Sequence, residues 1–280
     1  MRQTQLRDAR GEIARPVGPL RTLWTGLLDI LYPPSCLDCG SPLSGDYPRD
    51  GLCRGCLAEL PWLFDPLCPR CGIELGEGVT PANCPECRQK RPPFVRTLAL
   101  ARYEGKLREM VHRAKFGGTT VLAASMGHLL ADRWADELID FDGPVVPVPM
   151  HWRRRLGRRY NPARMVASVL ARRTRLPLVP GLLKRTRPTP SQSTMMSPAA
   201  RLDNVKGSFA VSRRARLKGC RILLVDDVMT TCATAAEATR TLLAAGARQV
   251  WVAVAGRTIM EHPEGPTGLP GGQPERTRSR

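Results

Sequence analysis

The stretch ILLVDDVMTTCAT, residues 222–234, decides how this chain is read. Four consecutive apolar residues, Ile222 to Val225, have the length and character of a strand buried on both faces. Two adjacent carboxylates, Asp226 and Asp227, follow at its carboxyl end. A run of small and hydroxyl-bearing residues then leads into the alanine-rich helical pattern ATAAEATRTLLAAGA (233–247). In an open α/β sheet, ligands bind outside the carboxyl ends of the strands, where free N–H groups at the next helix start favour an anion. The turn from Thr230 to Thr234 is therefore a candidate cradle for a phosphate, with the hydroxyls of Thr230, Thr231 and Thr234 as further donors. Asp226 and Asp227 can accept from paired sugar hydroxyls. Together these groups call for a phosphorylated ribose; an acidic strand end without a ligand is the plainer alternative.

Working outward, the same strand-length apolar runs recur: LALARY (98–103), VVPVP (145–149), LPLVPGLL (176–183), RILLVDD (221–227) and QVWVAVA (249–255). Helical patterns such as VLAASMGHLLADRWADEL (121–138) separate them. Strands alternating with helices predict an α/β domain with a largely parallel sheet and right-handed crossovers, spanning about residues 94–258. Residues 1–19 and 259–280 lack periodicity and read as disordered ends. Within 20–34, Leu20, Leu23, Trp24, Leu27, Leu28 and Leu31 mark an amphipathic helix stopped by Pro33 and Pro34. It docks on the body of the protein or, as the alternative, lies on a membrane surface.

Eight of the ten cysteines fall between these parts, in four Cys-x-x-Cys pairs separated by 13, 11 and 12 residues. Each pair lets two thiolates converge from a tight knuckle, and two knuckles complete a tetrahedral four-sulfur shell for structural zinc. The expectation for residues 35–92 is a double zinc ribbon with two Zn2+ ions. Taken sequentially, Cys36, Cys39, Cys53 and Cys56 hold one ion, and Cys68, Cys71, Cys84 and Cys87 the other; an interleaved pairing is the alternative. Gly40 and Gly72, each just after a second thiolate, suit the positive φ of such turns. With no histidine among these ligands and no vacant position, the metal holds a fold rather than activating water.

The chain carries 43 Lys and Arg against 25 Asp and Glu, a net charge of +18, which calls for anionic partners. Residues 36–90 hold five basic and eight acidic groups, so the excess belongs to the C-terminal part. Eight thiolates and two zinc ions would take that cysteine module from −3 to −7, which disfavours phosphate there and suits a docking or packing role; contact with nucleic acid remains the other reading. Basic residues instead gather in segments after strands: Arg153, Arg154, Arg155, Arg158 and Arg159, then Lys184, Arg185 and Arg187, then Arg201 and Lys206. Such a rim suits pyrophosphate and a nucleic-acid backbone equally. Trp152 and Tyr160 are candidates for base stacking, His112 and Lys115 for ligand contact; packing and helix termination are the alternatives for them, as packing is for His151. No apolar run reaches the ~18–20 residues a membrane span needs, so the expected compartment is the cytoplasm, where paired cysteines serve metal more often than disulfides.

Residues 222–234 resemble the signature of type I phosphoribosyltransferases, which bind 5-phosphoribosyl-1-pyrophosphate (PRPP). That resemblance implies that Asp226 and Asp227 contact the ribose 2′ and 3′ hydroxyls. It also implies that Thr230, Thr231, Cys232, Ala233 and Thr234 surround the 5′-phosphate. The order of parts is similar to the ComF family, and LLDILYPPSCLDCG (27–40), HRAKFGG (112–118), VPVPMHWRRRLGRRYNPA (146–163) and LLKRTRPTPSQSTMMSPAARLDNVKGSF (182–209) agree with it. By that resemblance the fold is a type I phosphoribosyltransferase-like sheet behind a double zinc ribbon. The 149–155 loop would lie near the pyrophosphate, and residues 185–208, with Thr189, Gln192 and Ser193, would form a mobile flap. The implied role is DNA uptake, with single-stranded DNA and DNA-uptake or recombination proteins as partners. Mg2+ would accompany PRPP if the domain catalyses transfer, for which no general base is named. Two positions depart from the family pattern: Cys232, where Gly or Ala is usual, and Pro162, where Gln is common.

Overall fold

The computed structural model of the protein describes residues 33–43, 48–117, 120–150, 160–187 and 205–259. Arg153, Arg154, Arg155, His151, Trp152, Thr189, Gln192 and Ser193 lie outside these residues, as do nearly all of the segments 1–34 and 259–280. The chain divides into two compact units, Met1–Glu59 and Leu60–Arg280. The first contains the first four cysteines and a short helix, α1 (Arg54–Ala58). The second contains the other cysteine pairs, α2 (Pro85–Lys90) and the whole sheet. The division thus falls inside the cysteine-rich segment.

Within Leu60–Arg280, the elements after α2 run β1 (Arg96–Arg102), α3 (Gly105–Phe116), α4 (Val121–Arg133), α5 (Ala135–Leu138) and β2 (Val145–Pro147). They continue with α6 (Pro162–Thr174), β3 (Leu183–Arg185), β4 (Phe209–Val211), β5 (Arg221–Met229), α7 (Ala233–Ala244) and β6 (Gln249–Arg257). Four strands make one parallel sheet in the order β1–β6–β5–β2. Central position explains the composition of β5 and β6: Ile222 to Val225 and Val250, Val252 and Val254 are buried, the pattern of strands covered on both faces.

The helices carry the periodicity that buries them. Leu107, Met110, Val111 and Ala114 line the inner face of α3, while the inner face of α7 is built from Ala235, Ala236, Ala238, Thr239 and Leu242. Asn161 caps α6, its Oδ1 accepting from Ala163 N at 3.1 Å while Nδ2 donates to Val148 O at 2.9 Å. Pro162 then stands at the first helical position, where its missing N–H costs nothing, so this departure from the family pattern is structurally neutral.

One strand expectation changes. The run 176–183 is not one strand: Leu178 makes a single parallel bridge to Val145, and Leu183 begins β3, which pairs antiparallel with β4 in a separate ribbon. Pro177 and Pro180 lack the N–H groups a continuous ladder requires. The ribbon is tied to α7 by Gly207 N donating to Glu237 Oε1 at 2.7 Å.

Candidate functional site

Strand β5 carries Asp226 and Asp227 in its carboxyl-terminal half and hands the chain to α7 through Thr230, Thr231 and Cys232. The residue before α7, Cys232, makes no side-chain capping hydrogen bond. Thr231 is buried, and its hydroxyl has no hydrogen-bond partner among the described residues. A buried donor left unpaired costs free energy, and an anion on the turn would satisfy it. The structure thus places the residues that the sequence singles out between the carboxyl-terminal part of β5 and the start of α7.

The two carboxylates differ. Burial, the charge of Asp227 and a hydrogen bond with Asp227 raise the Asp226 carboxyl well above the usual aspartate range. Burial also opposes ionisation of Asp227, but the Lys115 ammonium and the hydrogen bond from Asp226 outweigh it and hold this carboxyl below its usual value. Lys115 Nζ lies 2.6 Å from Asp227 Oδ2. Their backbone neighbours complete the arrangement: Asp227 N donates to Asp226 Oδ1 and Val228 N to Asp227 Oδ1, both at 2.9 Å. Asp226 therefore keeps its proton to higher pH than Asp227, and the two carboxyl groups stand side by side with acceptor oxygens.

Of the other candidates, Lys115 is part of the site, whereas His112 is exposed and pairs its ring with Phe116 at 4.7 Å. Tyr160 packs rather than standing free for a base: its hydroxyl donates to Ala114 O and anchors the end of α3 beside Lys115. Burial and the Asp227 charge both raise its pKa. Arg187 is exposed at the end of the described β3 segment, and Arg153, Arg154 and Arg155 lie outside the described residues.

Cys232 takes a left-handed backbone, φ 63° and ψ −4°, which explains why glycine suits this position. Its side chain turns into the apolar core instead of the turn. Burial raises its pKa, which excludes the low-pKa thiol that a helix N-terminus can produce.

The eight paired cysteines form two groups, Cys36, Cys39, Cys53 and Cys56, and Cys68, Cys71, Cys84 and Cys87, with the sulfurs of each group within 4.8 Å of one another. The grouping is sequential. A tetrahedron with ~2.3 Å metal–sulfur bonds has edges of about 3.8 Å. Cys39–Cys53 and Cys68–Cys87 stand 3.7 Å apart and Cys71–Cys84 3.6 Å, so both shells fit zinc. Without a cation the thiols share charge unevenly: hydrogen bonds from Ser41 hold Cys39 down to about 6, and the one from Cys71 holds Cys68 at about 5. Cys71, the hydrogen-bond partner of Cys68, is pushed far up by Cys68 and by burial. A divalent ion would displace the remaining thiol protons and take all four sulfurs as thiolates. Gly40 and Gly72 have φ of 76° and 71°, as the knuckles demand.

Two residues that the sequence pattern does not reveal tie the second cluster to the turn. Arg257, at the end of β6, is 0% exposed and Glu86, between Cys84 and Cys87, is 3% exposed. Arg257 Nη2 meets Glu86 Oε1 at 2.6 Å, and its Nη1 donates to Thr230 O at 2.6 Å. A charged residue closing an otherwise apolar strand run was the available signal.

A four-stranded parallel sheet with helices and two four-sulfur shells define the class: an α/β protein with N-terminal zinc-ribbon clusters. The double zinc ribbon domain family matches residues 27–88. The DNA utilization protein YhgH of Escherichia coli K12 is 30% identical over 231 residues, 79% of this chain and 97% of that protein. Competence protein F of Haemophilus influenzae is 26% identical over 222 residues, covering 78% of this chain and 94% of that protein. The chain belongs to the ComF family. Among solved structures, adenine phosphoribosyltransferase from Leishmania tarentolae overlaps 57% of this chain and 76% of its own, at 14% identity and a TM-score of 0.34.

Proposed function

We propose that this chain is a ComF-type DNA-uptake factor whose sheet domain binds a phosphoribosyl group, PRPP or ribose 5-phosphate, at the β5–α7 turn. One observation carries the reading: an uncapped helix start and a buried, unpartnered threonine hydroxyl stand directly after two carboxylates on one strand. In this reading Asp226 and Asp227 accept from the ribose 2′ and 3′ hydroxyls. The N–H groups of Thr231 to Thr234 and the threonine hydroxyls hold the 5′-phosphate. Each cysteine cluster holds one structural Zn2+.

Magnesium enters only as a companion of the ligand's pyrophosphate. Asp227 is paired to Lys115, so in this reading its carboxylate is engaged by the ammonium rather than by a resident ion. The names of the E. coli and H. influenzae relatives, DNA utilization and competence, support the cellular role. Single-stranded DNA, with DNA-uptake or recombination proteins, is the corresponding partner class in the cytoplasm. Arg153, Arg154, Arg155 and Arg187 are the candidate anion contacts, for pyrophosphate or for the DNA backbone.

Calorimetric titration of the full chain with ribose 5-phosphate and PRPP tests the pocket. Saturable binding that Asp226→Asn combined with Asp227→Asn reduces at least tenfold, with the far-ultraviolet dichroism unchanged, supports it. Undiminished binding by that variant, or none by the native chain, overturns it. A salt series with a single-stranded oligonucleotide tests the partner: affinity should fall steeply with salt and flatten when Arg153, Arg154 and Arg155 are replaced by glutamine.

A further inference from the structure

We propose that the second cysteine cluster sets the geometry of the β5–α7 turn through the buried side chain of Arg257, so that zinc binding and phosphoribosyl binding are linked. The ligand half of this inference rests on the function proposed above; the metal half stands on geometry alone.

The guanidinium of Arg257 is a bridge with two ends. On the cluster side, Nε donates to Cys71 O at 2.9 Å and Nη2 meets Glu86 Oε1 at 2.6 Å. Cys71 belongs to one knuckle, and Glu86 stands between the two cysteines of the other, so both knuckles grip the same planar group. On the turn side, Nη1 donates to Met229 O at 3.2 Å and to Thr230 O at 2.6 Å, as well as to Thr258 O at 2.6 Å. These carbonyls begin the segment that becomes the anion cradle. Every guanidinium nitrogen is thereby engaged, a fork geometry that the single ammonium of lysine cannot reproduce.

The cluster's own apolar core is small. Its apolar packing consists of the cysteines with Ile73, Leu75 and Val79. Such small knuckles take their folding energy from the ion. When zinc leaves, Cys71 O and Glu86 lose their fixed separation, and the buried guanidinium loses its counter-ion. The carbonyls of Met229 and Thr230 then lose their common donor. Linkage is reciprocal, so a ligand that fixes the turn must also retain zinc in this cluster.

Glu86→Gln keeps all eight sulfurs and the side-chain shape while removing the charge that Arg257 requires. The experiment compares full-length native protein with Glu86→Gln and with Arg257→Lys. Zinc stoichiometry and amide hydrogen exchange are measured over residues 229–234, with 162–174 as the internal reference. Expected for Glu86→Gln is two retained zinc ions, about tenfold faster exchange at the turn and no change in the reference helix, a size in the usual range of coupling between sites. Unchanged exchange at the turn with two zinc ions bound overturns the proposal. The native protein supplies a second arm that needs no variant to fold: ribose 5-phosphate should slow loss of one zinc ion to a chelator severalfold and leave the other unaffected. If ribose 5-phosphate binds but slows neither ion, the linkage is overturned. If it does not bind, the proposed pocket and the ligand half fail together, while the exchange result still decides the metal half.

Discussion

Lys115 Nζ sits 2.6 Å from Asp227 Oδ2, joining the last turn of α3 to the carboxyl end of β5. Both side chains are largely buried, so solvent screens the pair weakly, and the ammonium is what keeps Asp227 ionised against its burial. Lys115→Met should cost about 1.5–3 kcal/mol of unfolding free energy, the value of a hydrogen bond to a charged group. Adding Asp227→Asn should restore part of that loss, because the unpaired carboxylate disappears. Urea unfolding of the native, single and double variants gives the coupling energy directly; strictly additive losses would show that the two groups do not sense each other.

The carboxylate pair also sets a pH dependence with opposite signs. Asp226 holds its proton to higher pH when folded than when unfolded, so its contribution to stability is full below the ordinary aspartate value of ~3.9 and is lost as pH climbs through the raised folded value. Asp227 runs the other way: its contribution is present above the ordinary value and is lost as pH falls through the depressed one. Asp226→Asn removes the first effect and alters the hydrogen bond that helps hold Asp227 down, while Lys115 still keeps Asp227 ionised. Its stability relative to native protein should therefore improve from about pH 4 upward, with a limiting slope near 1.4 kcal/mol per pH unit. A difference that stays flat between pH 4 and 8 would mean that Asp226 is ionised throughout.

What the sequence makes legible here is what lies close along the chain. Residues 222–234 carry an apolar run, two acids and a hydroxyl-rich turn in one continuous stretch, so strand, site and helix are read together. The cysteine knuckles are equally local, and their sequential grouping follows from neighbouring pairs. The run 176–183 misleads because hydrophobic character hides Pro177 and Pro180, which stop a ladder that only Leu178 joins. Arg257 and Glu86 escape notice for another reason: 171 residues separate them, and each reads locally as an ordinary charge. Lys115 stands between these cases, suggested as a ligand contact by its motif but seen as the partner of Asp227 only once α3 is packed.

Cys232 should behave as an inert thiol despite standing at a helix start. Its side chain is buried in the core and burial raises its pKa, so little thiolate forms and reagents cannot reach it. In zinc-loaded protein, Ellman's reagent should modify half-buried Cys220 in preference and reach Cys232 only on unfolding. Peptide mapping after a timed reaction distinguishes the two. Modification of Cys232 in the native protein at a rate comparable to Cys220 would mean that the side chain leaves the core.

Gly40 and Gly72 share a backbone conformation but not an environment, and alanine at each separates two costs. At Gly40, φ is +76° and an added Cβ meets nothing within 4 Å, so Gly40→Ala should cost about 1–2 kcal/mol, the penalty of left-handed backbone. At Gly72, φ is +71° and the Cβ would lie 2.7 Å from Thr97 Cγ2. Thr97 cannot swing aside freely, because its hydroxyl donates to Arg70 O at 2.6 Å. Gly72→Ala should therefore add an overpacking cost of about 1–3 kcal/mol to the backbone cost and weaken zinc retention in the second cluster. Thr97→Ser deletes the obstructing methyl and keeps the hydroxyl. In the Gly72→Ala background it should recover the steric part while leaving the backbone part, as read from urea midpoints and from zinc release to a chelator. Equal losses for Gly40→Ala and Gly72→Ala, with no recovery by Thr97→Ser, would show that the second knuckle is not pressed against β1.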